Sequence, residues 1–379
     1  METTQSASVN RIAEPKNAVL LELGGSHTEC LHTQIHFLAE AGYRVYMICD
    51  AVVWSQIEEK DRLAGSMILD VKRGFFARLA MAVKIHRYMY KHEISYMVVN
   101  TTENTIVRNI FLLPFFRKVN CTCLIHNGRK FISSLSLRLI ILRKVKKFFV
   151  LGEFIKQTIT SAVARRSYRL EVFYPMYFPK MNDVSTIEKN DDDFWITIPG
   201  NVESSRRDYL NLLKALKQEA LHPSIKIILL GKCIPELDPE IRKMIDETGL
   251  EGKQLITFGR EFISNDLFHS YIRRTDLILP LLYPASNNQP AFYGNYRISG
   301  AYNLSFAYKI PMLMECSMSD CNDFQGCSFF YNTNDIISTI NAFVNRKQEL
   351  DDMHRNMTSN PRWNLDDQKQ KYINFIELE

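Results

Sequence analysis

Residues 194–214 read Phe194-Trp-Ile-Thr-Ile-Pro199-Gly200-Asn201-Val-Glu-Ser-Ser-Arg206-Arg207-Asp208-Tyr-Leu-Asn-Leu-Leu-Lys214, and this stretch decides the fold. The apolar run at its start predicts a buried strand, which the Pro-Gly pair stops. A short polar loop follows, then a helix carrying Leu210, Leu213 and Leu216 on one side. Arg206 and Arg207 stand at the mouth of that helix. A strand, a glycine turn and a helix N-terminus with two guanidiniums favour phosphate. Free N–H groups and the helix dipole attract anions, and arginine forks match phosphate oxygens. Alone, the same residues also describe a surface turn with two solvated arginines. The rest of the chain argues for the phosphate-handling element, placed at the start of a second domain.

On the N-terminal side, strand and helix signals alternate. Ala18–Leu23 is an apolar strand ending at Gly24-Gly25, Thr28–Ala41 is helical and Tyr43–Cys49 is the next strand. Met67–Val71, Ser95–Asn100, Asn120–Ile125 and Lys147–Leu151 read as further strands, most of them separated by helical stretches. Pro179 to Asp193 is polar and acidic and breaks the pattern. The alternation then restarts, with strands expected at 194–199, 225–230, 254–258, 276–281 and 311–314. Strands alternating with helices imply parallel β-α-β units. The expected fold class is therefore α/β, with two doubly wound Rossmann-like domains facing a central cleft where their carboxyl-terminal strand ends meet. The boundaries read from the sequence are 1–178, a linker at 179–193, 194–358, and a C-terminal helix within 359–379 that packs back on the first domain.

Composition is that of a soluble globular chain: 379 residues, 46% apolar and 23% charged. The N-terminus lacks the basic start and apolar core of a signal peptide. The longest apolar run, Ile110 to Phe116, is too short to span a bilayer and contains Pro114. The expectation is a cytoplasmic protein, peripheral on the inner membrane. The net charge of +5 is unevenly divided. Residues 1–180 hold 26 Lys and Arg against 14 Asp and Glu, and the remainder 21 against 28. Between 106 and 170 there are 14 basic residues and one acidic, Glu153. Arg138-Leu-Ile-Ile-Leu-Arg143-Lys144-Val-Lys146-Lys147 interleaves apolar and basic positions, which suits an anionic membrane surface or an anionic acceptor; a solvated basic face is the plain alternative. No nucleic-acid motif accompanies it, so nucleic acid is not an expected partner. Cys30, Cys49, Cys121, Cys123, Cys233, Cys316, Cys321 and Cys327 show no Cys-x2-Cys pair and read as reduced, mostly buried thiols.

In their order, the motifs resemble those of a GT-B glycosyltransferase of the family 4-like group, along nearly the whole chain. Leu23-Gly24-Gly25-Ser26-His27 followed by Leu38-Ala39-Glu40-Ala41-Gly42-Tyr43-Arg44-Val45 resembles the glycine loop, first helix and second strand. Leu124-Ile-His126-Asn127 resembles the strand-end His-Asp or His-Asn of the first domain. In the second domain, Gly200 to Asp208 resembles the family's glycine loop and phosphate-binding basic pair. Leu229-Leu230-Gly231-Lys232 and Ile256-Thr257-Phe258-Gly259-Arg260 resemble the strands whose ends flank the nucleotide base. Ser299-Gly300 and Ala307-Tyr-Lys-Ile-Pro311 resemble the helix that ends Ala-x-Gly-x-Pro. Three positions depart from the pattern. Asn201 stands where the family's first diphosphate arginine sits, and Tyr296 and Leu304 stand where it has the two glutamates of Glu-x7-Glu, which touch the donor sugar and the ribose.

The resemblance implies transfer of a sugar from a nucleotide-sugar donor to a polysaccharide, lipid-linked or glycolipid acceptor, with retention at the anomeric carbon. Charge develops on the β-phosphate as the glycosidic bond stretches, and preorganised cations and N–H groups stabilise it. Arg206, Arg207 and the Gly24-Gly25 loop are the candidates for that task. His126 is the acceptor-side candidate, orienting the donor sugar or passing a proton. His27 follows the glycine loop, where it either faces the cleft or, as the plainer reading, caps the helix or stands in solvent. Gly200, Asn201, Gly231, Lys232, Phe258, Arg260, Ser299 and Gly300 are the expected donor-binding positions. The donor is a substrate, so no cofactor is expected, and no Asp-x-Asp motif signals a metal. Two other readings stay open: a silent GT-B-like protein that binds a partner, favoured by the missing glutamates, and another GT-B enzyme such as a sugar-nucleotide epimerase. The three-glycine fingerprint of a dinucleotide dehydrogenase is missing.

Overall fold

The computed structural model describes residues 15–24, 27–71, 74–112, 119–163, 168–283 and 296–378. Among these, thirteen strands form two sheets whose pairings are all parallel. The first contains β1 (Asn17–Glu22), β2 (Arg44–Asp50), β3 (Leu63–Leu69), β4 (Tyr96–Val99), β5 (Asn120–Ile125), β6 (Lys147–Val150) and β7 (Arg169–Val172), in the order β3-β2-β1-β4-β5-β6-β7. The second contains β8 (Phe194–Pro199), β9 (Ile225–Lys232), β10 (Leu255–Phe258), β11 (Leu277–Ile278), β12 (Met312–Glu315) and β13 (Ser328–Tyr331), in the order β10-β9-β8-β11-β12-β13. Central strands are almost wholly buried because helices cover both faces, which is why they read as continuous apolar runs. Strand order reverses between β1 and β4 in one sheet and between β8 and β11 in the other. These are the switch points at which α/β sheets open a crevice for ligands.

The sequence reading needs correction at the sheet edges. β3 begins at Leu63 and ends at Leu69 rather than covering Met67–Val71, and its alternating burial is that of a half-covered edge strand. β7 and β13 were missing from the expected strands; both are four residues long and close their sheets. β11 is confined to Leu277–Ile278, shorter than the expected 276–281.

Two sets of contacts hold the halves in register. The helix Leu365–Glu377 lies on the first domain: the Tyr372 ring stacks on Phe149 at 4.8 Å, and Lys147 Nζ donates to the Ile376 carbonyl at 2.7 Å and to that of Leu378. Asp323, 1% exposed and carried by the loop between β12 and β13, reaches the other way. Its carboxylate accepts from the Glu153 and Phe154 backbone N–H groups at 2.9 and 3.0 Å, and from the Tyr174 hydroxyl at 2.5 Å. A second-domain side chain thereby caps the N-terminus of the first-domain helix Glu153–Ala162, whose own N-cap residue, Gly152, has no side chain for the task. The linker lies along the helix Asn265–Arg274, where the Asn182 and Val184 N–H groups donate to Asp266 and Ser270, each at 2.9 Å. Among the described residues no helix is long and apolar enough to cross a membrane.

Asp323→Ala leaves three donors without their acceptor and should cost about 2–3 kcal/mol in urea denaturation, a charged acceptor being worth more than a neutral one. An unchanged midpoint would show that the cap does not hold the domains together.

Candidate active site

The second domain supplies the floor of the site. β8 ends at Pro199, and Gly200 turns the chain with φ +102°. The end of β9 crosses so close behind it that a Cβ on Gly231 would fall on the Gly200 carbonyl, so both positions require glycine. Arg207 locks this crossing. Its guanidinium is 8% exposed and donates to the Pro199 carbonyl at 2.5 Å and to the Asn201 carbonyl at 3.2 Å, while its Nε has no partner among the described residues. Arg206 points outward, 61% exposed at its side chain, and pairs with Glu203 at 3.0 Å. The helix that follows, Tyr209–Gln218, is capped by Asp208, whose carboxylate accepts from the Asn211 N–H at 3.3 Å. This corrects the sequence reading in one respect. An aspartate already occupies the helix mouth, so the helix N-terminus expected to attract an anion is filled by Asp208.

The facing wall comes from the first domain. β1 ends in Glu22, fully buried, which accepts from the Gly24 N–H at 2.6 Å, the Thr101 hydroxyl at 2.6 Å and the Asn100 amide at 2.8 Å. Burial raises its pKa nonetheless. His27 follows with φ +67° at the start of the helix Thr28–Glu40 and stacks on His126 with ring centroids 3.8 Å apart. His126 Nε2 donates to the Asn100 carbonyl at 2.7 Å, which leaves Nδ1 as the acceptor. Burial, and then the neighbouring His27, push the His126 pKa well down, so its ring stays neutral. His27 behaves oppositely. Burial lowers its pKa, but the hydrogen bond to Glu29 and the carboxylates of Glu29, Glu22 and Glu103 outweigh that and raise it. Glu103 is 3% exposed. One of its oxygens accepts from the Asn127 N–H at 2.5 Å, and the other is buried without a partner among the described residues. Burial lifts its pKa to about 7.

Two adjoining cavities lie between these walls. The larger, about 670 Å³, is lined by Gly24, His27, Glu103, His126 and Lys130 from the first domain and by Arg206, Arg207, Arg297, Ser299 and Gly300 from the second, among others. The smaller, about 350 Å³, is mostly apolar and is lined by Gly200, Asn201, Gly231, Lys232, Phe262, Ile263, Phe268 and Leu304, among others. Glu29, Arg207, Gly300 and Asn303 line both. The helix Gly300–Tyr308 points its N-terminus into this junction, capped by Ser299.

The sequence-predicted residues therefore converge, with exceptions. Gly24, His126, Arg206, Arg207, Ser299 and Gly300 meet in the larger cavity, and Gly200, Asn201, Gly231 and Lys232 in the smaller. Phe258 and Arg260 are not in either lining: Phe258 packs edge-on against Tyr271, and Arg260 pairs with Glu236 at 2.6 Å. Phe262, 74% exposed with Lys232 Nζ 5.7 Å from its ring centroid, occupies the place foreseen for them. Gly25, and residues 284–295, lie outside the described residues. His27 faces the cleft instead of solvent, and Glu29, Glu103, Lys130 and Asn303 went unrecognised. No local motif marks them; Glu103 and Lys130 follow strand ends within a few residues, whereas Glu29 and Asn303 lie in the first turns of helices.

No family model matches the sequence, and no curated protein does. Solved structures do match over the whole length. HepE from Anabaena in complex with UDP superposes with a TM-score of 0.68 at 13% identity, covering 94% of this chain and 98% of that one. A glycosyltransferase from Rickettsia africae gives 0.65 at 12%, covering 96% and 98%. A UDP-N-acetylglucosamine 2-epimerase-like protein from Listeria monocytogenes gives 0.59 at 10%, covering 94% of each. The fold is thus GT-B, the architecture that the order of motifs implied. Because transferases and an epimerase share it, the choice between activities falls to the site.

Glu103 gives a pH-dependent test. Its folded pKa lies above that of an unfolded glutamate, so the folded state binds the extra proton, and this contribution is lost as pH rises from about 4.5 through about 7. Relative to wild type, Glu103→Gln should therefore gain about 1–3 kcal/mol between pH 4.5 and pH 8, and the difference should level off above that. Parallel stability curves would place Glu103 in a solvated environment.

Proposed function

We propose that this chain transfers a glycosyl group from a nucleoside-diphosphate sugar to a hydroxyl of a polysaccharide, lipid-linked or glycolipid acceptor. One observation carries the reading: an apolar slot opens, through Arg207 and the N-terminus of helix Gly300–Tyr308, into a cleft that has cations on one side and, on the other, a carboxylate with one oxygen unpartnered among the described residues. The base enters the slot beside Phe262. The diphosphate lies at the junction, against Arg206, Arg207 and the free N–H groups around Ser299 and Gly300. The sugar projects toward His126 and Glu103.

As the bond from the anomeric carbon to the β-phosphate breaks, negative charge grows on that phosphate. Arg207 and the N–H groups around Ser299 and Gly300 line that junction, and Arg206 joins them by turning in from Glu203. Glu103 accepts the hydrogen bond of the incoming hydroxyl with its unpartnered oxygen. In the retaining course that the resemblance implies, the hydroxyl attacks the face from which the phosphate leaves, and its proton passes to that phosphate. His126, held neutral, orients the sugar through Nδ1 and does not serve as a proton donor. HepE, with the same fold, was obtained with UDP, which makes uridine nucleotides the first probes.

Saturation-transfer NMR against UDP, GDP, CDP, ADP and their common sugars tests the proposal. One base class should bind, and Arg207→Ala should weaken it at least about 10-fold, the loss of one charge-assisted contact. If none binds, the alternative prevails: a silent GT-B-like protein, the reading that the missing glutamates at Tyr296 and Leu304 favour.

The acceptor side includes a membrane surface in this proposal. Phe76 and Leu79 on the helix Phe75–Lys91, and Leu135 and Leu139 on the helix Leu135–Ile141, are 83%, 37%, 60% and 52% exposed. The helix Thr105–Ile110 packs between those two helices, and Arg138 and Arg143 lie close by in sequence. Apolar side chains inside a basic field suit an anionic bilayer. Leu135→Asp with Leu139→Asp should lower binding to phosphatidylglycerol vesicles at least about 10-fold, by lost apolar burial and added repulsion, while leaving nucleotide binding unchanged. Equal vesicle binding by the variant would remove the membrane from the proposal.

A further inference from the structure

We propose that Glu29 and Asn303 form a ribose clamp across the cleft, so that the first domain reads the sugar of the donor nucleotide. The inference rests on the nucleotide-sugar reading above. A nucleoside whose base fills the smaller cavity and whose diphosphate enters the larger one must carry its ribose through their junction. Four residues line both cavities: Glu29, Arg207, Gly300 and Asn303. Gly300 has no side chain, and two of Arg207's N–H groups are held by the Pro199 and Asn201 carbonyls. The hydrogen-bond acceptors left at the junction are the Glu29 carboxylate and the Asn303 side-chain oxygen.

Each has a separate reason to want a hydroxyl. Asn303 is 1% exposed, and its Oδ1 is buried without a partner among the described residues. An acceptor in that condition costs free energy until a donor arrives. Glu29 is the sole carboxylate among the described residues lining the smaller cavity. The helix Gly300–Tyr308 carries no Asp or Glu, and Leu304 presents an apolar side chain there. A ribose offers two neighbouring hydroxyl donors, and an acidic side chain is the usual reader of such a pair in doubly wound folds. Burial disfavours the Glu29 carboxylate, but its hydrogen bond to His27 and the charge of that ring outweigh burial and keep it ionised, hence an acceptor only.

The arrangement links binding to domain geometry. Glu29 stands on the first-domain helix Thr28–Glu40 and Asn303 on the second-domain helix Gly300–Tyr308. A ribonucleotide held by both ties the two walls together, whereas a nucleotide lacking a hydroxyl does not.

Calorimetric titration of the full chain with the ribo and 2′-deoxy forms of UDP, GDP, CDP and ADP tests the clamp. Wild type should prefer one ribonucleotide over its deoxy form by about 10-fold, the scale of one hydrogen bond to a charged group. Glu29→Gln should shrink that ratio to about 3-fold or less while the deoxy form still binds measurably, which also certifies the fold. Asn303→Ala should shrink it as well. A wild-type ratio near one, or an unaltered ratio in Glu29→Gln, overturns the clamp while leaving the nucleotide-sugar reading in place. Absence of binding by every nucleotide overturns that reading and the clamp with it.

Discussion

The carboxylate of Asp323 is the contact on which the rest of the structure depends. The two sheets have separate topologies, and neither switch point can form the cleft without the other. Asp323 leaves the second domain, caps the helix Glu153–Ala162 of the first and takes the Tyr174 hydroxyl. A buried charge is tolerable only when its lone pairs are filled, so this carboxylate demands one relative position of the two domains. The C-terminal helix, stacked through Tyr372 on Phe149, fastens the far side. With those two attachments made, the carboxyl-terminal ends of β1 and β8 face each other.

Within that frame, steric necessity at one crossing shapes the donor side. Gly200 and Gly231 let the ends of β8 and β9 approach until no side chain fits, and the Arg207 guanidinium locks the approach through two carbonyls. A cation thus sits buried at the junction of the cavities, its position set by the backbone. The first-domain wall answers with carboxylates whose pKa burial raises: Glu22 is satisfied by three donors, whereas one Glu103 oxygen has no partner among the described residues.

Much of this was legible in the sequence. The central strands appear as uninterrupted apolar runs because both of their faces are buried; Gly24, Gly200 and His126 follow strand ends where a crevice must open, and Gly231 is the last residue but one of β9. The edge strands were harder. Arg169-Leu-Glu-Val172 in β7 carries charges at alternate positions because one side of an edge strand meets solvent, and Ser328–Tyr331 in β13 is too short to show a period. Phe258 and Arg260 follow a strand end as expected, yet they face Tyr271 and Glu236, since a turn of a few residues is enough to exchange them with Phe262.

By itself the sequence determined the central strands and the helices between most of them, since apolar runs and their period are local properties, and it determined the glycines and arginines of the loop after β8. Only the tertiary structure decided which polar groups share the cleft. His27 and His126 stack from positions 99 residues apart, and Glu29 and Asn303 line the same cavities from opposite domains. Whether Glu103 is a solvated surface acid or a buried one with a pKa near 7 depends on the packing around it. Solvation, distance and pairing are properties of the packed chain, and the residues that set them here are scattered from one end of the sequence to the other.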